Sequence, residues 1–181
     1  RIKSNRITNM NGNTSDIYPT LLELASAPVP KNQPVLDGKS LVPLLYGKAM
    51  RREKPMGFWK YQAKGRGRKS RAMLETLRQE QLAGNQKPAE PEGQIDRQYP
   101  TDTLPGHSAW IDGDDKLHRL PVKRKKGKFA YELYHLGNDP REQQNLLGNN
   151  EKLAKRISRM KAGLATWQKS VVKSLNGGDY R

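Results

Sequence analysis

Hydrolytic and transfer chemistry needs a nucleophile beside a base, a pair of carboxylates or a cluster of metal ligands. The three histidines, His107, His118 and His135, are scattered, and none stands in a His-x-x-x-His or similar metal spacing. His118 and His135 fall at strand or strand-end positions, where an imidazole packs or faces water. His107 lies where an irregular segment meets a strand, a place from which a side chain can reach a ligand. Asp112, Asp114 and Asp115 around Gly113 invite calcium, but they do not follow the Asp-x-Asp-x-Asn/Asp-Gly loop and no Glu follows at the required distance. A solvated hairpin turn accounts for them. Gly65-Arg66-Gly67-Arg68 lacks the Gly-Lys-Ser/Thr ending of a phosphate loop. The chain has no cysteine, which removes disulfides, thiolate metal sites and a cysteine nucleophile.

The other conspicuous chemistry is charge. Among 181 residues, 34 Lys and Arg oppose 18 Asp and Glu, a net +16 that favours anionic partners and says nothing about fold. Nine of the basic residues fall between Met50 and Arg71 against the single Glu53, with Trp59 and Tyr61 among them. Basic side chains beside aromatic faces suit nucleic acid. No recognised nucleic-acid motif accompanies them, so nucleic acid is not the expected partner. Hydrophobic residues are 34% and aromatics 7%, so part of the chain is expected to stay outside a packed core. No apolar run approaches the ~18 residues of a membrane span. The opening Arg1-Ile2-Lys3 lacks both an initiator Met and a signal core and reads as a cut end.

The elements that would position these side chains can be read in order. Ser15 and Asp16 are cap candidates for a short helix to Ala25, with Ile17, Leu21 and Leu24 at helical spacing and Pro19 in its first turn. A Pro-rich connection, 27–34, leads through Leu36-Asp37-Gly38-Lys39-Ser40 into Leu41–Leu45, closed by Gly47. Met56–Trp59 reads as a strand. Residues 62–105 read as a basic, flexible insertion with a weak helical signal at Met73, Leu74 and Leu77. Ser108–Ile111 and Lys116–Leu120 form a hairpin about Asp112–Asp115, and Phe129–Tyr134 alternates as a third strand of the same antiparallel sheet. From about Asn150 to Leu175, Leu153, Ile157, Met160, Leu164, Trp167 and Val171 repeat at intervals of four and three, one apolar face of an amphipathic helix. The fold class expected is therefore α+β, a small antiparallel sheet closed by a C-terminal helix.

Four of these segments, in this order, resemble the arylsulfatase family. They are Ser15–Ala25 (Ser-Asp-Ile-Tyr-Pro-Thr-Leu-Leu-Glu-Leu-Ala), Leu36–Leu45 (Leu-Asp-Gly-Lys-Ser-Leu-Val-Pro-Leu-Leu), Ala109–Leu117, and Tyr131–Leu146. The last is similar to that family's Glu-Leu-Tyr-Asp-Leu-x-x-Asp-Pro-x-Glu-x-x-Asn-Leu signature. The resemblance implies the C-terminal portion of a sulfatase of the arylsulfatase or N-acetylgalactosamine-6-sulfatase type, the C-terminal subdomain of an alkaline-phosphatase-like fold. On it, residues 1–49 are the tail of the catalytic domain, 50–175 the C-terminal subdomain with its insertion at 62–105, and 176–181 a tail.

The activity implied is hydrolysis of sulfate esters, of sulfated polysaccharides or small sulfate esters, by a formylglycine hydrate and a calcium ion. Formylglycine arises from Cys/Ser-x-Pro-x-Arg, which this chain lacks, as it lacks the family's Asp-Asp and Asp-Asn metal ligands. No catalytic or metal residue transfers to it. The expected chain is inactive alone, holds no cofactor, and has the missing N-terminal catalytic domain as partner. Because the start of the subdomain borders the family's cleft, Trp59, Lys60 and His107 are expected as substrate-rim contacts, Lys60 pairing a sulfate or carboxylate. Periplasmic or secreted localisation follows by the same analogy. The alternative, from another class, is a stand-alone basic module that binds polyanions or nucleic acid.

Overall fold

The computed structural model describes residues 5, 7–31, 33–48, 51–60, 70–85, 99–125, 127–148 and 151–179. Its N-terminal part opens with a 3-10 turn, Thr14–Asp16, that runs into helix α1, Ile17–Leu24. The caps differ from expectation. Asn13 receives the Ser15 amide on its side chain and donates its own amide to Asp16 Oδ2, each at 2.9 Å. Asp16 makes no side-chain cap to α1 because its carboxylate turns inward to a stronger partner, Arg52. Helix α2, Val42–Leu45, is a single turn with Pro43 in its first turn.

The body of the fold is one antiparallel sheet of four strands in sequence order: β1 Met56–Trp59, β2 Ser108–Asp112, β3 Asp115–Pro121 and β4 Phe129–His135. The α+β expectation holds, with one strand more in the sheet. Met56–Trp59 pairs with Ser108–Ile111 and becomes an edge strand. The β2–β3 turn places Gly113 at φ 63°, a conformation that favours glycine, and pairs Asp112 with Asp115. Between β1 and β2 lies helix α3, Ser70–Leu82, inside the stretch expected to be flexible. Its Leu74, Leu77 and Leu82 are exposed, so the helix rests on the propensities of its straight-chain residues rather than on packing. Residues 62–69 and 86–98 of that insertion lie outside the described residues. Past them, Tyr99 exchanges hydrogen bonds of 2.6 and 2.9 Å with the Asn176 side chain, which ties the returning chain to the end of the last helix.

That last helix, α4 Glu151–Leu175, lies across one face of the sheet. Leu117, Leu133 and Met160 are buried between them, with Leu153, Ile157, Leu146 and Leu147 packed around. From Met160 the buried line runs along the i+4 ridge through Leu164, Gln168 and Val172, so Val172 and not the expected Val171 completes it. Two glycines set the helix against the sheet. A Cβ on Gly57 would sit 2.2 Å from the Trp167 ring, and one on Gly163 would sit 3.1 Å from the Trp110 ring. Each indole therefore lies over bare backbone, and the two rings meet tilted at 6.2 Å. Arg156 pairs with buried Asp115, and Arg159 reaches Asp112 at 3.1 Å, fixing the helix over the hairpin end.

Candidate functional site: the histidine edge of the sheet

Strand alternation sends Gly57 and Trp59 of β1, with Trp110 and Leu117, toward α4, and sends Phe58, Lys60, His107, Lys116, His118, Glu132 and Tyr134 to the other face. On that second face the polar side chains form one connected network. His107 Nε2 meets His118 Nδ1 at 2.9 Å, and His118 Nε2 meets Glu142 Oε2 at 2.8 Å. The other Glu142 oxygen accepts from Lys116 Nζ at 2.5 Å. Tyr134 sits edge-on to His118 and donates to Glu132 at 3.0 Å.

Glu142 comes from the loop after β4, and the sequence builds that loop locally. Asp139 accepts the amides of Gln143 at 3.0 Å and Gln144 at 2.8 Å, closing a tight turn after the strand. Asn145 Oδ1 accepts the amides of Leu133 and Leu147, and the Leu146 amide donates to the Leu133 carbonyl at 2.8 Å. The loop is thereby sewn onto the core strand. Glu142 itself takes φ 57°, an uncommon conformation for a side-chain-bearing residue, with its carboxylate held by Lys116 and His118.

The electrostatics follow from these contacts. Burial pushes the Glu142 carboxyl up, but the hydrogen bonds from Lys116 and His118 outweigh it and hold the group below the usual carboxylate range. Burial lowers the His107 imidazole, and the nearby His118 and Lys116 lower it further against a weaker pull from Glu132. Burial raises the Tyr134 phenol, and its bond to the Glu132 carboxylate adds to the effect. This arrangement can bind and share protons, and it can present cationic groups at the strand edge. Among the described residues no group of three or more His, Asp or Glu could hold a metal ion.

The expected rim residues are adjacent in the backbone and divided by face. The Lys60 amide donates to the His107 carbonyl at 2.8 Å, extending the β1–β2 ladder by one rung, and both side chains stand on the network face. Lys60 is exposed and His107 half-buried. Trp59 stands on the α4 side, where its indole N–H donates to the Pro105 carbonyl at 2.7 Å. Lys116, His118 and Glu142 were not expected at the site. The residues were legible one by one, as strand positions and as the Glu of the Asp-Pro-x-Glu signature. What joins them is the β3–β4 register and the loop's return, neither of which periodicity reveals.

A second constellation ties the N-terminal part together. Asp16, fully buried, takes Arg52 Nη1 at 2.7 Å and Nη2 at 2.9 Å, together with the amides of Asn13 at 2.9 Å and Lys39 at 2.8 Å. Burial opposes its ionisation, and the Arg52 guanidinium with the two amides more than compensates, leaving the carboxyl below its ordinary value. Thr20 donates to the Asp16 carbonyl and accepts the Leu41 amide. A Cβ on Gly38 would fall 1.9 Å from the Ser15 carbonyl oxygen, so the Leu-Asp-Gly turn crosses the helix start at backbone contact.

No family model and no curated protein matches the chain. Among solved structures, the chain is similar to BT4656 in complex with its substrate D-glucosamine-2-N,6-O-disulfate, with a TM-score of 0.46 and 19% identity. The likeness covers 85% of this chain and 23% of that one, so the chain spans less than a quarter of the length of that protein.

Proposed function

We propose that the chain is the C-terminal portion of a sulfatase of the arylsulfatase or N-acetylgalactosamine-6-sulfatase type, whose complete form hydrolyses sulfate esters of sulfated glycans. One observation carries most weight. Helix α1 turns its apolar stripe outward, with Ile17 54%, Tyr18 47%, Leu21 58% and Leu24 45% exposed. Residues at i, i+4 and i+7 form a core-facing stripe in a helix that has something to pack against. Here the stripe lies exposed, as it should if residues 1–49 end a larger catalytic domain. The motif residues support the same reading. Asp16, Thr20 and Gly38 lock the first two segments, and Asp139, Glu142, Asn145 and Leu146 lock the last.

Formylglycine and calcium do not fit the residues present. The sequence has no cysteine and no Ser-x-Pro-x-Arg, and the described residues offer no metal cluster. In this reading both belong to the catalytic domain, and this chain contributes a scaffold whose edge, Lys60 and His107 with Trp59 behind them, borders the substrate. The +16 charge concentrates a polyanionic glycan near that edge, an attraction that salt weakens. Periplasmic or secreted localisation belongs to the same reading. The test is sulfate release from a sulfated hexosamine. The product of the complete reading frame should release sulfate and the 181-residue chain should not; a complete product with no release from any sulfated sugar would defeat the proposal.

A further inference from the structure

A hydrogen bond between two imidazoles holds one proton. His118 is engaged on both nitrogens, by His107 at 2.9 Å and by Glu142 at 2.8 Å. Glu142 is ionised and tied to Lys116, so the proton of its bond to His118 resides on His118 Nε2. In the His107–His118 gap the single proton sits on His107 Nε2 or on His118 Nδ1, and the contact survives as long as one of the two rings stays neutral, because a charged imidazole still donates to a neutral one. A second proton would set two N–H groups head to head and break the contact.

We propose that His107 and His118 form an acid-opened latch, closed while at least one of the two rings is neutral and opened when both are cationic, which frees His107 as a cation beside Lys60 and gives this edge an affinity for sulfate oxyanions. The groups facing His107 are Lys60 after β1, Lys116 and His118 on β3, Glu132 and Tyr134 on β4, and Glu142 on the following loop. Burial, His118 and Lys116 all oppose its charging, and Glu132 favours it. The latch therefore opens on the acid side of an ordinary histidine. The folded state resists a proton that the unfolded chain accepts, so stability falls as pH drops below the unfolded histidine value of about 6.5. The latch stands on the side-chain geometry alone. Its oxyanion consequence rests on the rim reading given above.

Nitrogen-resolved NMR of the imidazoles of the 181-residue chain, from pH 7.5 to 4.5, tests both parts. Wild type should show His107 titrating below the ordinary value and losing its Nε2 hydrogen-bond signature as it does so. His118→Gln, which bonds but does not titrate, should move His107 back toward the ordinary value. Independent titration of the two rings, with no hydrogen-bond signature at pH 7.5, overturns the latch whether or not the variant folds. For the second part, glucosamine 6-sulfate and inorganic sulfate are added at pH 5 and pH 7.5. Binding at least about tenfold tighter at pH 5, equivalent to one pKa unit of coupling, and lost in His107→Gln, supports the oxyanion role. Tighter binding of the sugar than of the inorganic ion assigns the source. A coupled titration without binding refutes the oxyanion role and the rim reading and leaves the latch.

Discussion

Removing Asp16 should release the N-terminal segment from the rest of the chain. The carboxylate accepts four hydrogen bonds, two from Arg52 and one each from the Asn13 and Lys39 amides, from a site with no solvent exposure. In Asp16→Ala the Arg52 guanidinium keeps, among the described residues, its Nε bond to the Lys54 carbonyl, and both amides lose their acceptor. Breaking one side of a buried ion pair costs about 3–5 kcal/mol, because the surviving charge stays buried without compensation. At 1.4 kcal/mol per decade, that is a fall of roughly two to three and a half decades in hydrogen-exchange protection. The reporters are amides whose bonds do not involve the Asp16 side chain, Leu41 on Thr20 Oγ1 and Ala25 on the Leu21 carbonyl. Replacing both partners, with Arg52→Met added, should recover part of the loss, since no buried charge is then stranded. The pH dependence has a definite sign. The folded carboxyl lies below its unfolded value of 3.8, so its contribution is complete above that value and is lost as pH falls through the folded one. A change in protection of less than about threefold in Asp16→Ala, the surface-substitution range, would refute the reasoning.

Other substitutions test the packing and the caps. Gly57→Ala should destabilise by about 1–3 kcal/mol and shift tryptophan fluorescence, since its methyl would enter the Trp167 ring; thermal unfolding measures the loss. Ser26, at φ 51°, ends α1 where α2, α3 and α4 end in glycine, so Ser26→Gly should raise stability by on the order of 0.5–1 kcal/mol, read in the exchange of the Ala27 amide. Asn145→Ala should cost about 1–3 kcal/mol in urea unfolding by stripping the Leu133 amide of its acceptor in the core strand. With the α1 stripe uncovered, the 181-residue chain should bind an apolar dye and unfold with poor thermal cooperativity, and a sharp single transition without dye binding would count against a missing partner.

The elements with a strong period were legible in the sequence. The alternation in Phe129–Tyr134 and the four-three spacing from Leu153 both became the elements expected. Helix α3 was harder to read, since its leucines are exposed and its order rests on propensity without a core face. The long-range pairs left no trace in any window. Asp16 looks like a helix cap and Arg52 like one more charge in a basic run, and 36 residues separate them. His118 looks like a strand histidine until the fold brings Glu142 and His107 to its two nitrogens. Trp59 and Lys60 are neighbours in sequence and lie on opposite faces of the sheet, a division that the pleat imposes on any consecutive pair in a strand.

The most direct test of the central claim is the coding sequence upstream of Arg1. The sulfatase reading predicts an open frame there that encodes Cys/Ser-x-Pro-x-Arg together with the Asp and Asn ligands for a divalent cation. A start codon immediately before Arg1 would contradict it, leaving a basic domain whose function is to be sought in polyanion binding.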